Sequence, residues 1–308
     1  MAREITRGTF LKGVAVAGLG LAAGLAPAVA QTAPLIKRRI PKSGEEIVAV
    51  GLGTAQTFGD AVEGEGFEAR KAVIRALIEG GGALIDTAPT YSRAEEVVGR
   101  ALAELQMRDK AFLSTKISTT GEAAGIAHHR ESVANLRSER IDLEHVHNLR
   151  DTETHLRTLR RLKDAGRIRY IGVTTSFDPA HQRMVETMTR HELDWIQVNY
   201  ALDSRNVENR ILPLARDKGI AVMINVPFGR DRLFSKVRGK PLPEWAAEFD
   251  AKTWAQFFLK FVIAHPAVTA AIPGTNRAQH MTDNIGAARG RLPDAGHIRR
   301  MIGLIESV

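Results

Sequence analysis

Residues 81–102, GGALIDTAPTYSRAEEVVGRAL, pass from an apolar run through a polar turn into a helical pattern. GALID (82–86) has the length and apolarity of a buried strand and ends on Asp86. Residues 93–105 carry helical periodicity, and Ser92 and Glu95 have the spacing of a capping box. The stretch is therefore one strand–turn–helix unit, with Tyr91 in the turn. Taken alone, a strand-end Asp and a Tyr near a helix start read as a turn cap and a packed ring.

The same unit recurs along the chain. Further β-type runs lie at 48–53, 111–116, 142–147, 168–173, 194–199, 220–225 and 268–273. Helical periodicity occupies 67–80, 122–137, 152–165, 178–190, 207–218, 252–264 and 277–288. Asp178-Pro179 reads as an N-cap followed by Pro at the first helical position. Gly80, Gly166 and Gly219 stand where helices should stop. Strict alternation implies a parallel sheet with right-handed crossovers. Eight units in about 250 residues imply an α/β fold of the closed (β/α)8, or TIM, barrel type. GLGTAQTFG (51–59) does not run into a helix, so no dinucleotide fingerprint follows the first strand. Residues 35–50, with Ser43-Gly44 at the turn, predict an N-terminal β-hairpin that plugs the bottom of the barrel.

The chain has 308 residues, 44% hydrophobic and 25% charged, enough for one large core. Its net charge is +8, but the basic residues are spread, as in LRTLRRLKDAGRIR (156–169), a solvated helix face. No segment interleaves Arg with aromatics, which argues against nucleic acid as a partner. The absence of cysteine excludes disulfides, thiol nucleophiles and thiolate metal sites. Residues 1–30 have the layout of an export signal: Arg3, Arg7 and Lys12, an apolar run over 13–26, then Ala28-Val29-Ala30 before Gln31. Thr6–Lys12 resembles a twin-arginine motif, with Gly8 where the second Arg should stand. The expected organisation is a signal over 1–30, handled by export machinery, and one barrel domain over 31–308. The expected location is periplasmic; an uncleaved N-terminal helix would leave the protein in the cytoplasm.

Catalytic groups in such barrels come from the C-terminal ends of strands. Those positions offer Gly53-Thr54, Asp86, Lys116, His147, Thr174-Thr175, Gln197 with Asn199, Asn225 and Pro273-Gly274. A metal site needs several converging carboxylates or histidines, and a glycosidase needs two acids; neither set is present. His128-His129 read as a surface pair on a helix, so no metal is expected. Lys116 as a Schiff-base amine is a competing reading, opposed by Asp86, which would keep it protonated. What remains is Asp86, Tyr91, Lys116 and His147. A cationic Lys beside a phenol favours the phenolate, a buried Asp keeps that Lys charged, and a neutral His can orient a carbonyl. The set is an acid aimed at a carbonyl oxygen, and with no obvious protein nucleophile the attacker is a cofactor hydride.

From about residue 46 to 288 the chain resembles the aldo-keto reductases. LIDTAPTYSRAEEVVGRAL, LSTKI and EHVHN resemble the segments carrying the family's Asp, Tyr, Lys and His, and GLGTAQTFG, YIGVTTS, QVNY and IPGTNRAQHMTDN resemble its cofactor segments. The resemblance implies NADPH-dependent carbonyl reduction, NADH not excluded, with Asp86, Tyr91, Lys116 and His147 as the catalytic tetrad. It implies a nucleotide held by Gly53, Thr54, Thr174, Thr175, Gln197, Asn225, Pro227 and Phe228, and by Gly274, Thr275, Asn276, Arg277, His280, Asp283 and Asn284. The substrate would be a small carbonyl compound and the protein a monomer.

The chain departs from the family at three places. Thr174-Thr175 replace the usual Ser-Asn, Asn225 replaces the aromatic that faces the nicotinamide and leaves Phe228 for that place, and His280 replaces a phosphate-binding Arg, leaving Arg277. Gln197, Thr275 and Asn276 also have plain readings as a strand-end amide and helix caps. Trp245, Phe249 and Phe234 either line a substrate pocket or pack the long seventh loop (226–251). Little chain follows the eighth helix, so an open pocket is expected. A catalytically slow nucleotide-binding module, sensing redox state or assisting a partner, is the alternative function.

Overall fold

A computed structural model of the chain describes residues 33–308, so the export signal read over 1–30 lies outside the described residues. Strands β1 (Lys37–Arg39) and β2 (Glu46–Val48) form an antiparallel hairpin with Lys37 opposite Val48. Gly44, at φ +75°, supplies the left-handed residue its turn needs.

The alternating units follow: β3 (Leu52–Gly53), α1 (Gly64–Glu79), β4 (Leu84–Asp86), α2 (Ala94–Leu105), β5 (Phe112–Ile117), α3 (Glu122–Asn135), β6 (Ile141–Val146) and α4 (Thr152–Asp164). The second half comprises β7 (Ile168–Thr174), α5 (His181–Arg190), β8 (Trp195–Asn199), α6 (Ile211–Asp217), β9 (Ala221–Asn225), α7 (Arg232–Lys236), α8 (Trp254–Ala264), β10 (Ala270–Ala271), α9 (Ala278–Gly286) and α10 (Ala295–Glu306). β3 to β10 form an eight-stranded parallel sheet in sequence order. The first and last strands meet through three bonds: Gly51 N to Ala271 O (2.8 Å), Ala271 N to Ala49 O (2.9 Å) and Gly53 N to Pro273 O (3.1 Å). The result is the expected barrel, closed along a narrow seam.

Two apolar layers hold it. Inside, Ile40 and Ile47 of the hairpin join Leu84, Phe112, Leu143 and Trp195, which stand near the starts of their strands. The Tyr170 hydroxyl donates to Glu45 Oε2 (2.6 Å) and accepts from Ser43 Oγ (2.8 Å) of the hairpin turn. The hairpin therefore plugs the N-terminal end. Outside, strand residues such as Leu113 and Ile196 pack against helix residues such as Leu102, Leu156 and Phe261.

Several local expectations change. Ser92 and Glu95 form no capping box: α2 starts at Ala94 without a side-chain cap, and Glu95 is buried, accepting from Thr115 Oγ1 (2.5 Å) and Ser132 Oγ (2.8 Å). Asp178-Pro179 opens a short 3-10 turn before α5, and the Asp178 carboxylate accepts from Asn199 Nδ2 at 2.7 Å. α1 stops as expected, at Glu79 with Gly80 as its C-cap, but Gly80 stays right-handed and the left-handed glycine is Gly81 (φ +93°). His129 is not on the surface; it is buried, with Nδ1 2.7 Å from Glu144 Oε2. Among the described residues no helix is long and apolar enough to cross a membrane.

Candidate active site

Four segments at the C-terminal end of the barrel converge. Asp86 ends β4, Lys116 lies near the end of β5, His147 follows β6, and Tyr91 sits in the turn between β4 and α2. That turn is shaped by Ser92 at φ +53° and by Gly59, where a Cβ would stand 2.8 Å from Ser92 Cβ and 2.9 Å from the Tyr91 carbonyl. Only a glycine lets the β3 loop approach this closely.

Lys116 is fully buried. Its Nζ donates to Asp86 Oδ2 at 2.8 Å and to the Thr87 carbonyl at 2.6 Å, and lies 5.0 Å from the centre of the Tyr91 ring. The Tyr91 and His147 rings meet edge to face at 5.9 Å. On its far side His147 Nδ1 is 2.5 Å from Ser118 Oγ. Thr54 supports Asp86 from the next strand, its Oγ1 donating to the Asp86 carbonyl at 3.0 Å.

Burial acts to discharge Lys116, but the Asp86 carboxylate and the Tyr91 phenol outweigh it and hold the ammonium above its ordinary range. Burial pushes the Tyr91 phenol up, and Asp86 adds to the rise; Lys116 pulls the other way, as the sequence suggests, without reversing the sign. Tyr91 is therefore a firmly protonated phenol in the free protein, which corrects the expectation of a lowered pKa. Burial and then the Lys116 charge push His147 down to about 3, so its imidazole is neutral. The arrangement offers an O–H donor and a neutral imidazole to one point in space, with a fixed cation behind the phenol.

Asp86, Tyr91 and His147 line a cavity of about 680 Å³. Of the residues expected to hold a nucleotide, Gly53, Gln197, Asn225, Pro227, Phe228 and Gly274 line the same cavity. Thr174 and Thr175 stand behind it: Thr174 Oγ1 donates to Gln197 Oε1 (2.7 Å), and the Thr175 carbonyl accepts from Asn225 Nδ2 (3.0 Å). Asn225 Oδ1 is buried without a partner. Thr54, bonded to Asp86, also stays out of the wall, and the remaining expected residues belong to α9 and the loop before it and do not line this cavity. Thr275 is buried there and caps the Arg277 amide (3.1 Å), while Asn276, Arg277 and His280 are exposed. Asp283 is held by Thr253 Oγ1 and Gln256 Nε2 (2.8 Å each), and Asn284 is buried.

Trp245 and Phe249 pack on Phe257 and His297, and Phe234 on Phe258; none of the three lines the cavity. Sequence reasoning missed Gln56, Thr57, Asn148, Ser176 and Arg230, which do line it. They lie in loops without regular periodicity, and the loop after β9 is held with Val226, Gly229, Arg230 and Asp231 all at positive φ. Among the described residues no group of three or more His, Asp or Glu could hold a metal ion.

A sequence model of the Aldo/keto reductase family matches residues 49–299. The chain is 31% identical over 213 residues to an aldo-keto reductase of Bacillus subtilis (strain 168), spanning 64% of this chain and 63% of that protein. It is 30% identical over 252 residues to the NADH-specific methylglyoxal reductase of Escherichia coli (strain K12), spanning 71% of this chain and 75% of that protein. Among solved structures it is similar to an aldo/keto reductase from Klebsiella pneumoniae in complex with NADP and acetate, with a TM-score of 0.71 and 26% identity over 87% of this chain and 94% of that one.

Proposed function

The chain belongs to the aldo/keto reductase family, and on that premise we propose that its pocket reduces an aldehyde or ketone to an alcohol, with Tyr91 as the proton donor. The observation that carries this reading is the buried Asp86–Lys116 pair behind Tyr91, with neutral His147 across the ring.

The cavity fits a nicotinamide nucleotide on its own chemistry. Asn225 Oδ1 is an unclaimed acceptor on a residue of the wall. Gly53 keeps the wall open beside the last strand, since a Cβ there would stand 2.8 Å from the Ile272 carbonyl. Gly53, Gln197, Asn225 and Phe228 would hold the ring end, and the α9 start with Arg277 the far end, where exposed helix amides favour anions. When bound, the nucleotide supplies the hydride. NADPH is the proposed cofactor, in line with the NADP bound to the Klebsiella protein, and the NADH-specific Escherichia coli relative keeps NADH within the reading.

The protein's own part is proton chemistry. His147, neutral through the physiological range, donates to the carbonyl oxygen and fixes its position. Tyr91 Oη gives that oxygen its proton. Charge left on the phenolate is met by the Lys116 ammonium, and Asp86 keeps that ammonium charged and in place. Tyr91→Phe tests the reading: general acid catalysis contributes about 10²–10⁴-fold, so reduction should fall by at least roughly a hundredfold while nucleotide affinity stays within about threefold. Retention of most activity toward every carbonyl compound the parent reduces would reject Tyr91 as the donor.

The address of the chain is part of the same proposal. Residues 1–30 serve as an export signal to the periplasm, so N-terminal sequencing of protein from its native host should begin at or near Gln31. A sequence starting at Met1 would reject this.

A further inference from the structure

Just below Asp86 and Lys116, the inner wall of the barrel carries two polar side chains where barrel interiors ordinarily place branched apolar ones. Ser114, fully buried on β5, is the cross-strand partner of Asp86, and His145, fully buried on β6, is the cross-strand partner of Lys116. The two Asp86 carboxylate oxygens are divided between them: Lys116 Nζ donates to Oδ2 and Ser114 Oγ donates to Oδ1, each at 2.8 Å. A serine hydroxyl has one proton. Having given it to Asp86, Ser114 can only accept from His145, whose Nδ1 lies 3.4 Å away. That order of donation requires the Nδ1–H tautomer and leaves Nε2 as a bare nitrogen, which is buried and has no partner.

The fold makes room for this ring. Gly172 of β7 is the cross-strand partner of His145, and a Cβ there would stand 2.5 Å from His145 Cδ2 and 2.9 Å from Nε2. Burial first, and the Lys116 charge second, keep His145 neutral, far below its ordinary range, against a hydrogen bond to the Thr115 backbone that shares the ring's N–H with Ser114. A packing role alone would be met by apolar side chains. Two buried polar groups joined in one direction to a carboxylate serve to aim it.

We propose that Ser114 and His145 are positioning residues: the relay His145 Nδ1–H to Ser114 Oγ–H to Asp86 Oδ1 holds the other Asp86 oxygen on Lys116, and through that pair sets the charge behind Tyr91. The inference rests on the reductase reading and adds to it two residues that never touch the carbonyl compound or the nucleotide.

The test is the pH dependence of kcat and KM for the full chain with NADPH and methylglyoxal, in the parent, Ser114→Ala, His145→Leu and His145→Asn. A hydrogen bond to a charged group is worth about a factor of ten or more, so Ser114→Ala should lower kcat at least about tenfold and leave KM within about twofold. The alkaline limb of kcat should move down by about one pH unit, because the Asp86 carboxylate stays beside Lys116 but is no longer held in line with it. His145→Asn, which keeps an N–H donor near the Nδ1 position, should restore most of what His145→Leu loses. Added to Ser114→Ala, His145→Leu should change kcat by less than about twofold, since its effect passes through Ser114. An unmoved alkaline limb, a KM effect without a kcat effect, or fully additive losses would overturn the proposal. If the parent reduces neither methylglyoxal nor other aldehydes, the reductase reading falls by itself. The relay is then decided by ¹⁵N spectra of the histidines: His145 neutral at pH 5 with its proton on Nδ1, and perturbed by Ser114→Ala, supports it; an Nε2–H tautomer or a charged ring at pH 6 overturns it.

Discussion

Replacing Lys116 by Met should separate the stability of this site from its activity. Methionine fills most of the volume of the lysine stem, so packing changes little. Two bonds vanish, those to Asp86 Oδ2 and to the Thr87 carbonyl. An unpaired buried carbonyl costs about 1–3 kcal/mol. The larger loss is the charge: Asp86 is 3% exposed and keeps only Ser114 on its carboxylate, and stranding one partner of a buried pair costs about 3–5 kcal/mol. Relief from burying the ammonium works against these losses, so the net expected for Lys116→Met is about 3–5 kcal/mol. Adding Asp86→Asn removes the stranded charge. Replacing a whole buried pair by neutral groups is often nearly neutral, so the double variant should lie only about 1–3 kcal/mol below the parent, the cost of the Thr87 carbonyl that stays unpaired. Urea unfolding of the parent, both single variants and the double variant reads the coupling energy, expected to be at least about 3 kcal/mol. Reductase assays on the same samples should show all three variants inactive, so the double variant should be stable and inactive. A single variant that loses under about 1 kcal/mol, or a double variant no more stable than Lys116→Met, would refute the reasoning that Asp86 depends on Lys116 for its charge.

Further expectations concern other parts of the molecule. His147, held at about 3, should stay neutral in histidine NMR spectra from pH 8 down to about 4, and a midpoint near 6.5 would contradict its burial. Because its folded value is depressed, the stability it contributes is complete above about pH 6.5 and drains away as pH falls toward 3, so His147→Gln should flatten the acid side of the stability profile. Gly99→Ala would put a Cβ 2.1 Å from the Asn135 carbonyl, forcing α2 away from α3, and should cost about 1–3 kcal/mol by thermal melting. Gly303→Ala on the exposed face of α10, with nothing within 4 Å, should instead stabilise by about 0.4–1 kcal/mol. Arg277→Ala should weaken NADPH binding by about 1–3 kcal/mol and leave NADH unchanged; equal losses would make Arg277 a structural residue.

The barrel was legible because each of its units is local. An apolar run of strand length, a polar turn and a helical period recur in order, and side-chain periodicity reports each of them directly. The placing of Asp86, Lys116 and His147 at the strand ends was legible for the same reason, since each follows directly from where its apolar run stops. The failures are non-local. Ser92 and Glu95 have the spacing of a capping box, but Thr115 and Ser132 on other elements claim the Glu95 carboxylate. The phenol of Tyr91 was expected to be lowered by its neighbouring cation, and only the depth of burial, which the chain does not spell out, reverses that sign. His129 reads as a surface residue until Glu144 is placed beneath it. The walls contributed by Gln56, Ser176 and Arg230 come from loops whose course is fixed by left-handed backbone and by tertiary contacts rather than by any periodic pattern.

The narrow seam of the barrel bears on how ligands and stability are linked. β3 and β10 contribute two residues each to the sheet, whereas β6 and β7 pair at five positions. Along this join the cylinder has few stitches, and the cavity opens across it: Gly53 stands on one lip, Ile272 and Gly274 on the other. A molecule seated there touches both ends of the sheet and works as a clasp. Backbone amides at Gly51, Gly53 and Ala271 should be among the first of the sheet to exchange with solvent in the free protein, and a bound nucleotide should slow them most. Loading the pocket would then do more than prepare a reaction, since it would finish joining the barrel.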